Sequence, residues 1–117
     1  AEIDYLNLHG TGTPLNDSME AAAVATLFAT PPACSSTKAL TGHTLGAAGA
    51  LEAAFCWLAL DRGHLPIHVF DDDYDPDIPA LPLVTQNATP ARPLRHALSN
   101  SFAFGGNNAS LLLSWAD

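Results

Sequence analysis

From Leu45 to Leu60 the chain carries one charged side chain, Glu52, in a run otherwise built of alanine, glycine, leucine, phenylalanine, cysteine and tryptophan. A helix apolar on every side has to be covered on more than one of them. The run is shorter than the ~20 residues a membrane-spanning helix needs, so it should be a buried helix of a layered soluble protein. The helix is expected from Gly42 to about Asp61, with Arg62-Gly63 supplying a basic last turn and a C-terminal glycine. Inside such a layer Glu52 needs a cation or several hydrogen bonds, because an unpaired buried charge is strongly unfavourable. Asn7, Ser99 and Asn100 fall on predicted strands and could supply them.

The rest of the chain alternates strands with helices around that run. Ile3 to Leu8 alternates apolar and polar residues and ends at His9-Gly10-Thr11-Gly12-Thr13-Pro14, a glycine-broken loop at a strand's C-terminal end. Asp17 or Ser18 should cap a helix that continues to about Phe28, and Pro31-Pro32 stops it. Ala33 to Ser36 reads as a second short strand, and residues 64–95, rich in proline and aspartate, as an ordered excursion with a trace of strand at Leu83-Val84-Thr85. His96 to Phe104, the Gly105-Gly106-Asn107-Asn108 turn and Ala109 to Trp115 form a hairpin. The order β-α-β-α-loop-β-β implies an α/β fold in one domain over residues 1–117, with helices packed on a largely parallel, mixed sheet. In such sheets chemistry gathers at the C-terminal ends of the strands, where His9, Lys38 and Phe104 all fall.

Charge narrows the partners. Four basic residues against 12 acidic ones give a net charge of −8, which argues against nucleic acid and against an anionic membrane surface. Much of that charge lies in Asp71-Asp72-Asp73-Tyr74-Asp75-Pro76-Asp77, a solvated acidic loop; Pro76 replaces the glycine that a calcium loop requires. Cys34 and Cys56 show no metal-ligand spacing, and Ala1-Glu2-Ile3-Asp4-Tyr5-Leu6 has no basic or apolar leader, so a reducing cytoplasm is expected. His64 and His68 have ligand-like spacing, but Pro66 breaks the helix that a zinc-binding pair would use. Neither a nucleophile elbow nor a phosphate loop occurs, and Leu15 stands where the third glycine of a dinucleotide fingerprint belongs.

The scarce basic residues point to a site. Lys38 and His43 lie five residues apart, with Gly42 before the histidine and Gly46-Ala47-Ala48-Gly49-Ala50 after it. In the first turn of a helix His43 would feel the positive end of the dipole and stay neutral, able to donate one hydrogen bond to a developing oxyanion. His9, flanked by glycines that let a ligand approach the backbone and by the hydroxyls of Thr11 and Thr13, would join it in an electrophilic pocket. Glu20 is expected to pair with Lys38, with Asp17 the second choice.

His9-Gly10-Thr11-Gly12-Thr13, Lys38 to His43 with its Gly-Ala-Ala-Gly run, and Asn100-Ser101-Phe102-Ala103-Phe104-Gly105-Gly106 occur in that order across nearly the whole chain. Together they resemble the three C-terminal motifs of the β-ketoacyl-[acyl carrier protein] synthases. The resemblance implies the C-terminal half of a thiolase-like fold and decarboxylative Claisen condensation, in which a malonyl thioester on acyl carrier protein yields an enolate that attacks an acyl thioester. It makes His9 and His43 the pair that stabilises the enolate and Lys38 the lysine that organises the site with Glu20. Thr11 and Thr13 become ligands of the phosphopantetheine arm, which arrives on the carrier, so no resident cofactor is implied. Phe104 becomes an oxyanion-hole donor and acyl-pocket gate, in a loop stiffened by Ala103. In some members a monovalent cation sits at residues matching Asn7, Glu52, Ser99 and Asn100.

Two histidines imply the elongating class, in fatty-acid or polyketide assembly. The family's nucleophilic cysteine belongs to an N-terminal half that this sequence lacks, as does its dimer-forming strand, so the resemblance implies an inactive fragment of a longer homodimer. A chain-length-setting subunit or scaffold that keeps the fold without the nucleophile is the alternative. A thiolase that transfers acetyl groups is a weaker one, since it would need a cysteine near Phe104-Gly105-Gly106-Asn107.

Overall fold

The computed structural model describes residues 2–86 and 88–116, so Ala1 of the leader reading lies outside the described residues. Three short parallel strands and a hairpin partner make one sheet: β1 (Tyr5–Asn7), β2 (Ala33–Ser35), β3 (His96–Phe102) and β4 (Asn108–Ser114), in the order β2-β1-β3-β4. β1 runs parallel to β2 and β3, pairing Tyr5 with Ala33 and Ala97 and Asn7 with Ser35 and Ser99, while β3 and β4 are antiparallel. The sheet is therefore mixed, as expected, and the hairpin is where the sequence put it.

Side-chain alternation sends the two faces of β1 to different helices. Leu6 and Leu8 join Cys34 and Val24 under α1 (Pro14–Leu27). Tyr5 joins Ala97 with Cys56, Ala59 and Leu60 of α3 (Ala48–Arg62) on the other face. α1 starts earlier than the sequence reading had it, at Pro14 rather than after Asp17 or Ser18. Proline suits the first helical position because its missing N–H has no helical acceptor there, and Thr13 becomes the N-cap.

The second helix also departs from expectation. Instead of one helix from Gly42 there is a short α2 (Lys38–Thr41), a break at Gly42 with φ +73°, a 3-10 turn (Leu45–Ala47) and then α3. Within the described residues α3 is covered on one side only: Glu52, Cys56, Ala59 and Leu60 are buried, while Trp57 and Leu58 remain exposed.

The 64–95 excursion is ordered by main-chain bonds. Cys34 N–H donates to Pro82 O, Val84 N–H to Cys34 O and His68 N–H to Val84 O, extending the sheet beyond β2. Its end is stapled to the start of β1 by Asp4, whose carboxylate accepts from Arg92 Nε (2.6 Å), Arg95 N (2.8 Å) and His96 N (2.9 Å). Burial alone would raise the Asp4 carboxyl, but the two backbone donors and the Arg92 guanidinium outweigh it and hold the carboxyl below its usual value. Among the described residues no helix is long and apolar enough to cross a membrane.

Candidate active site

The loops after β1, β2 and β3 emerge at the same edge of the sheet because these strands are mutually parallel. After β1 the backbone of His9 and Gly10 turns back onto α1, where buried Glu20 receives both amides, His9 N on Oε1 at 2.8 Å and Gly10 N on Oε2 at 2.9 Å. Asn100 Nδ2 donates to the same carboxylate at 3.3 Å. Burial raises the Glu20 carboxyl and these three donors moderate the rise. Gly10 has φ +41°, and a Cβ there would lie 2.5 Å from the Ser36 Cβ, so glycine is required on both counts. The Ser36 hydroxyl donates to Gly10 O at 2.7 Å, tying the loop after β1 to the one after β2. Ser36 was not singled out in the sequence, where a serine in a run of small polar residues gives no signal.

Lys38 opens α2 and turns its side chain inward. Nζ donates to Glu52 Oε1 and to His9 O, in an ion pair with both side chains almost wholly buried. This corrects the expected pairing of Lys38 with Glu20 or Asp17. α1 and α3 lie on opposite faces of the sheet, so Glu20 binds backbone amides on one face while the lysine reaches the lone acid of α3 on the other. The cation that Glu52 required is Lys38.

His9 is 6% exposed, and its imidazole is pushed down to about 4, chiefly by burial, then by the Lys38 charge and by His43, with Asp17 opposing. The ring is therefore neutral near pH 7. Its Nδ1 faces Lys38 Nζ at 3.5 Å, which leaves the proton on Nε2. The His43 ring stands edge-on to it, centroids 5.5 Å apart at 84°. His43 Nδ1 accepts the Leu45 N–H at 3.1 Å, so here too Nε2 carries the proton. His43 is not in the first turn of a helix; it lies in the bend between α2 and the 3-10 turn, and a local backbone donor sets its tautomer in place of a helix dipole. Phe102 closes on His9 from β3, ring centroids 5.6 Å apart.

A cleft of about 470 Å³ opens beside this group, and Thr11, Asp17, Glu20, Lys38 and His43 line it together with His68, Phe70 and Tyr74 of the excursion. Thr11 and Thr13 share a hydroxyl hydrogen bond of 2.8 Å. His9, buried behind Lys38 and His43, Thr13, the N-cap of α1, and Phe104, 96% exposed beyond β3, are not among the lining residues.

Asn7 Oδ1, Glu52 Oε2 and Ser99 Oγ are buried oxygens with no hydrogen-bond partner among the described residues. Asn7 and Ser99 are register partners on the α3 face, and one carboxylate with neutral oxygens is a donor set that fits a hard monovalent cation. The Asn100 side chain does not belong with them: alternation turns it to the other face, where it bonds Glu20 and accepts from Ser110 Oγ at 2.8 Å. Cys34 and Cys56 are fully buried, and burial pushes both thiols up to about 12, so neither supplies a thiolate.

The fold and the cluster of His9, Lys38 and His43 at the strand ends are those of a C-terminal part of a thiolase-like fold. Over 99% of this chain and 28% of theirs, the ishigamide ketosynthase/chain length factor superposes with a TM-score of 0.91 at 41% identity. A chain of the Xenorhabdus doucetiae complex of the ketosynthase ApeO with its chain length factor ApeC superposes with a TM-score of 0.86 at 53% identity, over 98% of this chain and 29% of that one. The family described as "Beta-ketoacyl synthase, C-terminal domain" matches residues 1–69, and the chain belongs to it. Its sequence is 46% identical to 3-oxoacyl-[acyl-carrier-protein] synthase 1 of Escherichia coli (strain K12), across 95% of this chain and 27% of the relative. The mitochondrial 3-oxoacyl-[acyl-carrier-protein] synthase of Arabidopsis thaliana is also 46% identical, over 97% and 25%. The chain thus spans about a quarter of the length of these curated relatives.

Proposed function

We propose that this chain is the C-terminal part of an elongating 3-oxoacyl-[acyl carrier protein] synthase working in the cytoplasm, and that its residues stabilise the enolate formed from a malonyl thioester. In that reaction the bond between the malonyl α-carbon and its carboxylate breaks, carbon dioxide leaves, and the electron pair moves onto the thioester oxygen. The α-carbon then attacks an acyl thioester held on a cysteine of the N-terminal half, and the thiolate departs. The observation that carries the reading is the pair of adjacent imidazoles whose Nδ1 atoms are occupied, His9 by Lys38 and His43 by Leu45 N–H, so that both offer an Nε2–H. Two N–H donors preset for a developing oxyanion need no reorganisation as charge appears. Lys38 steadies His9 through its carbonyl and is itself held by Glu52. Thr11 and Thr13 take the pantetheine arm of the carrier, and Phe104 gates the acyl pocket and donates its amide to the second oxyanion. A monovalent cation held by Asn7, Glu52 and Ser99 would add positive charge beside the free oxygen of Glu52.

Decarboxylation tests the assignment in the full-length protein that contains this chain. His9→Ala and His43→Ala should each lower carbon dioxide release from malonyl carrier protein by about 10²–10³-fold, and wild-type rates in both would refute the roles. Two solved neighbours are ketosynthase/chain length factor assemblies, which keeps a chain-length-setting subunit as the second reading. Full-length protein without a nucleophilic cysteine would establish it.

A further inference from the structure

A third imidazole shares the tautomer of the first two. His68 Nδ1 accepts the Ser36 N–H at 3.0 Å, so its proton also lies on Nε2, and its own N–H is anchored on Val84 O at 2.9 Å. Ser36 is the same residue whose hydroxyl holds Gly10 O, so the His68 ring is fixed to the loop that carries His9 and Thr11. Burial lowers its affinity for a proton, with Asp17 opposing. The ring lines the cleft with Thr11, Lys38 and His43. Beside it stand Phe70, 5.3 Å away between centroids, and Tyr74, 5.2 Å beyond Phe70. Among the described residues the Nε2–H has no protein acceptor and is not a buried unpaired atom, so it opens to the cleft, where a ligand oxygen can take the place of water.

The surroundings specify that oxygen. Asp71, Asp73 and Asp75 line the same cleft and disfavour an anion, while the Lys38 charge is already committed to Glu52. A neutral acceptor, with aliphatic segments to lie against Phe70 and Tyr74, fits both. We infer that His68 is a substrate-binding residue whose Nε2–H donates to an amide carbonyl or hydroxyl oxygen of the pantetheine arm, with Phe70 and Tyr74 as the wall for its aliphatic parts. The inference rests on the condensing reading above and adds a contact on the excursion between α3 and β3.

His68→Asn isolates the contact. The asparagine Oδ1 takes the place of Nδ1 and keeps the Ser36 N–H satisfied, but nothing replaces Nε2–H. Decarboxylation by the full-length protein is measured with malonyl-pantetheine and with malonyl ethyl thioester, which has the reacting group and no arm. His68→Asn should lower kcat/KM for malonyl-pantetheine about five- to tenfold, through KM, and change the ethyl thioester about twofold or less. Equal losses on both substrates, or no loss on either, overturn the inference. An unaltered protein that releases carbon dioxide from neither substrate overturns the condensing reading itself. If His68→Asn does not fold, pantetheine added to the unaltered protein should shift the ¹⁵N resonance of His68 Nε2, and an unmoved resonance overturns the contact.

Discussion

His9 is useful to an oxyanion only while it is neutral, and its surroundings keep it so. Its folded value, about 4, lies below the 6.5 of an unconstrained imidazole, so between those values the unfolded chain binds more protons than the folded one. The His9 contribution therefore leaves stability unchanged above about pH 6.5 and lowers it as pH falls toward 4. An NMR titration should place the His9 inflection near 4, and His9→Gln should flatten part of the decline in melting temperature between pH 6.5 and 4.5. The buried pair of Lys38 and Glu52 predicts a second loss. Glu52→Ala leaves an ammonium uncompensated in the interior, and denaturant unfolding should show a cost of about 3–5 kcal/mol. These residues stood out in the sequence because polar and charged side chains are scarce beside glycines or inside apolar runs. Their partners did not stand out: whether Lys38 meets Glu20 or Glu52 depends on which face of the sheet each helix covers, and no local pattern encodes that.

Two short segments hold the elements in register. The turn after β1 works only because Gly10 combines φ +41° with the absence of a Cβ, which would lie 2.5 Å from Ser36 Cβ. Gly10→Ala should destabilise by about 1–3 kcal/mol and displace the His9 backbone from Glu20, read as a lower melting temperature together with loss of decarboxylation. At the other end of β1, Asp4 gathers donors from the end of the excursion. Asp4→Ala removes the acceptor shared by Arg92 Nε, Arg95 N and His96 N and should cost about 1–3 kcal/mol, read by denaturant unfolding. Because the folded carboxyl is held below its ordinary 3.8, the Asp4 contribution is present above that value and disappears as pH falls through the lower, folded one. At this scale the strands and the hairpin were legible from alternation and turn glycines. Helix boundaries were not: proline at the first position of α1 and the Gly42 break before α3 are settled by backbone geometry that hydrophobic period does not report.

At the scale of the molecule, α3 is half covered. Trp57 (53% exposed) and Leu58 (40%) on this helix and Leu111 (51%) and Leu112 (53%) on β4 leave apolar surface open. Apolar exposure of this kind marks a contact surface, and the chain spans about a quarter of the length of its curated relatives. The isolated 117-residue chain should self-associate in sedimentation velocity, and Trp57→Ser with Leu112→Ser should reduce that association. The sequence by itself determined the α/β class and picked out His9, Lys38 and His43, which the fold brings together, since both follow from local pattern and residue chemistry; the cover on a second side expected for the Leu45–Leu60 run is not present among the described residues, where Trp57 and Leu58 stay exposed. Tertiary structure alone decided that Lys38 serves Glu52, that Glu20 holds the His9 turn and that His68 faces the same cleft. Each of those pairs residues far apart in the chain, and only the order of strands and the two-sided packing of helices bring them within hydrogen-bond reach.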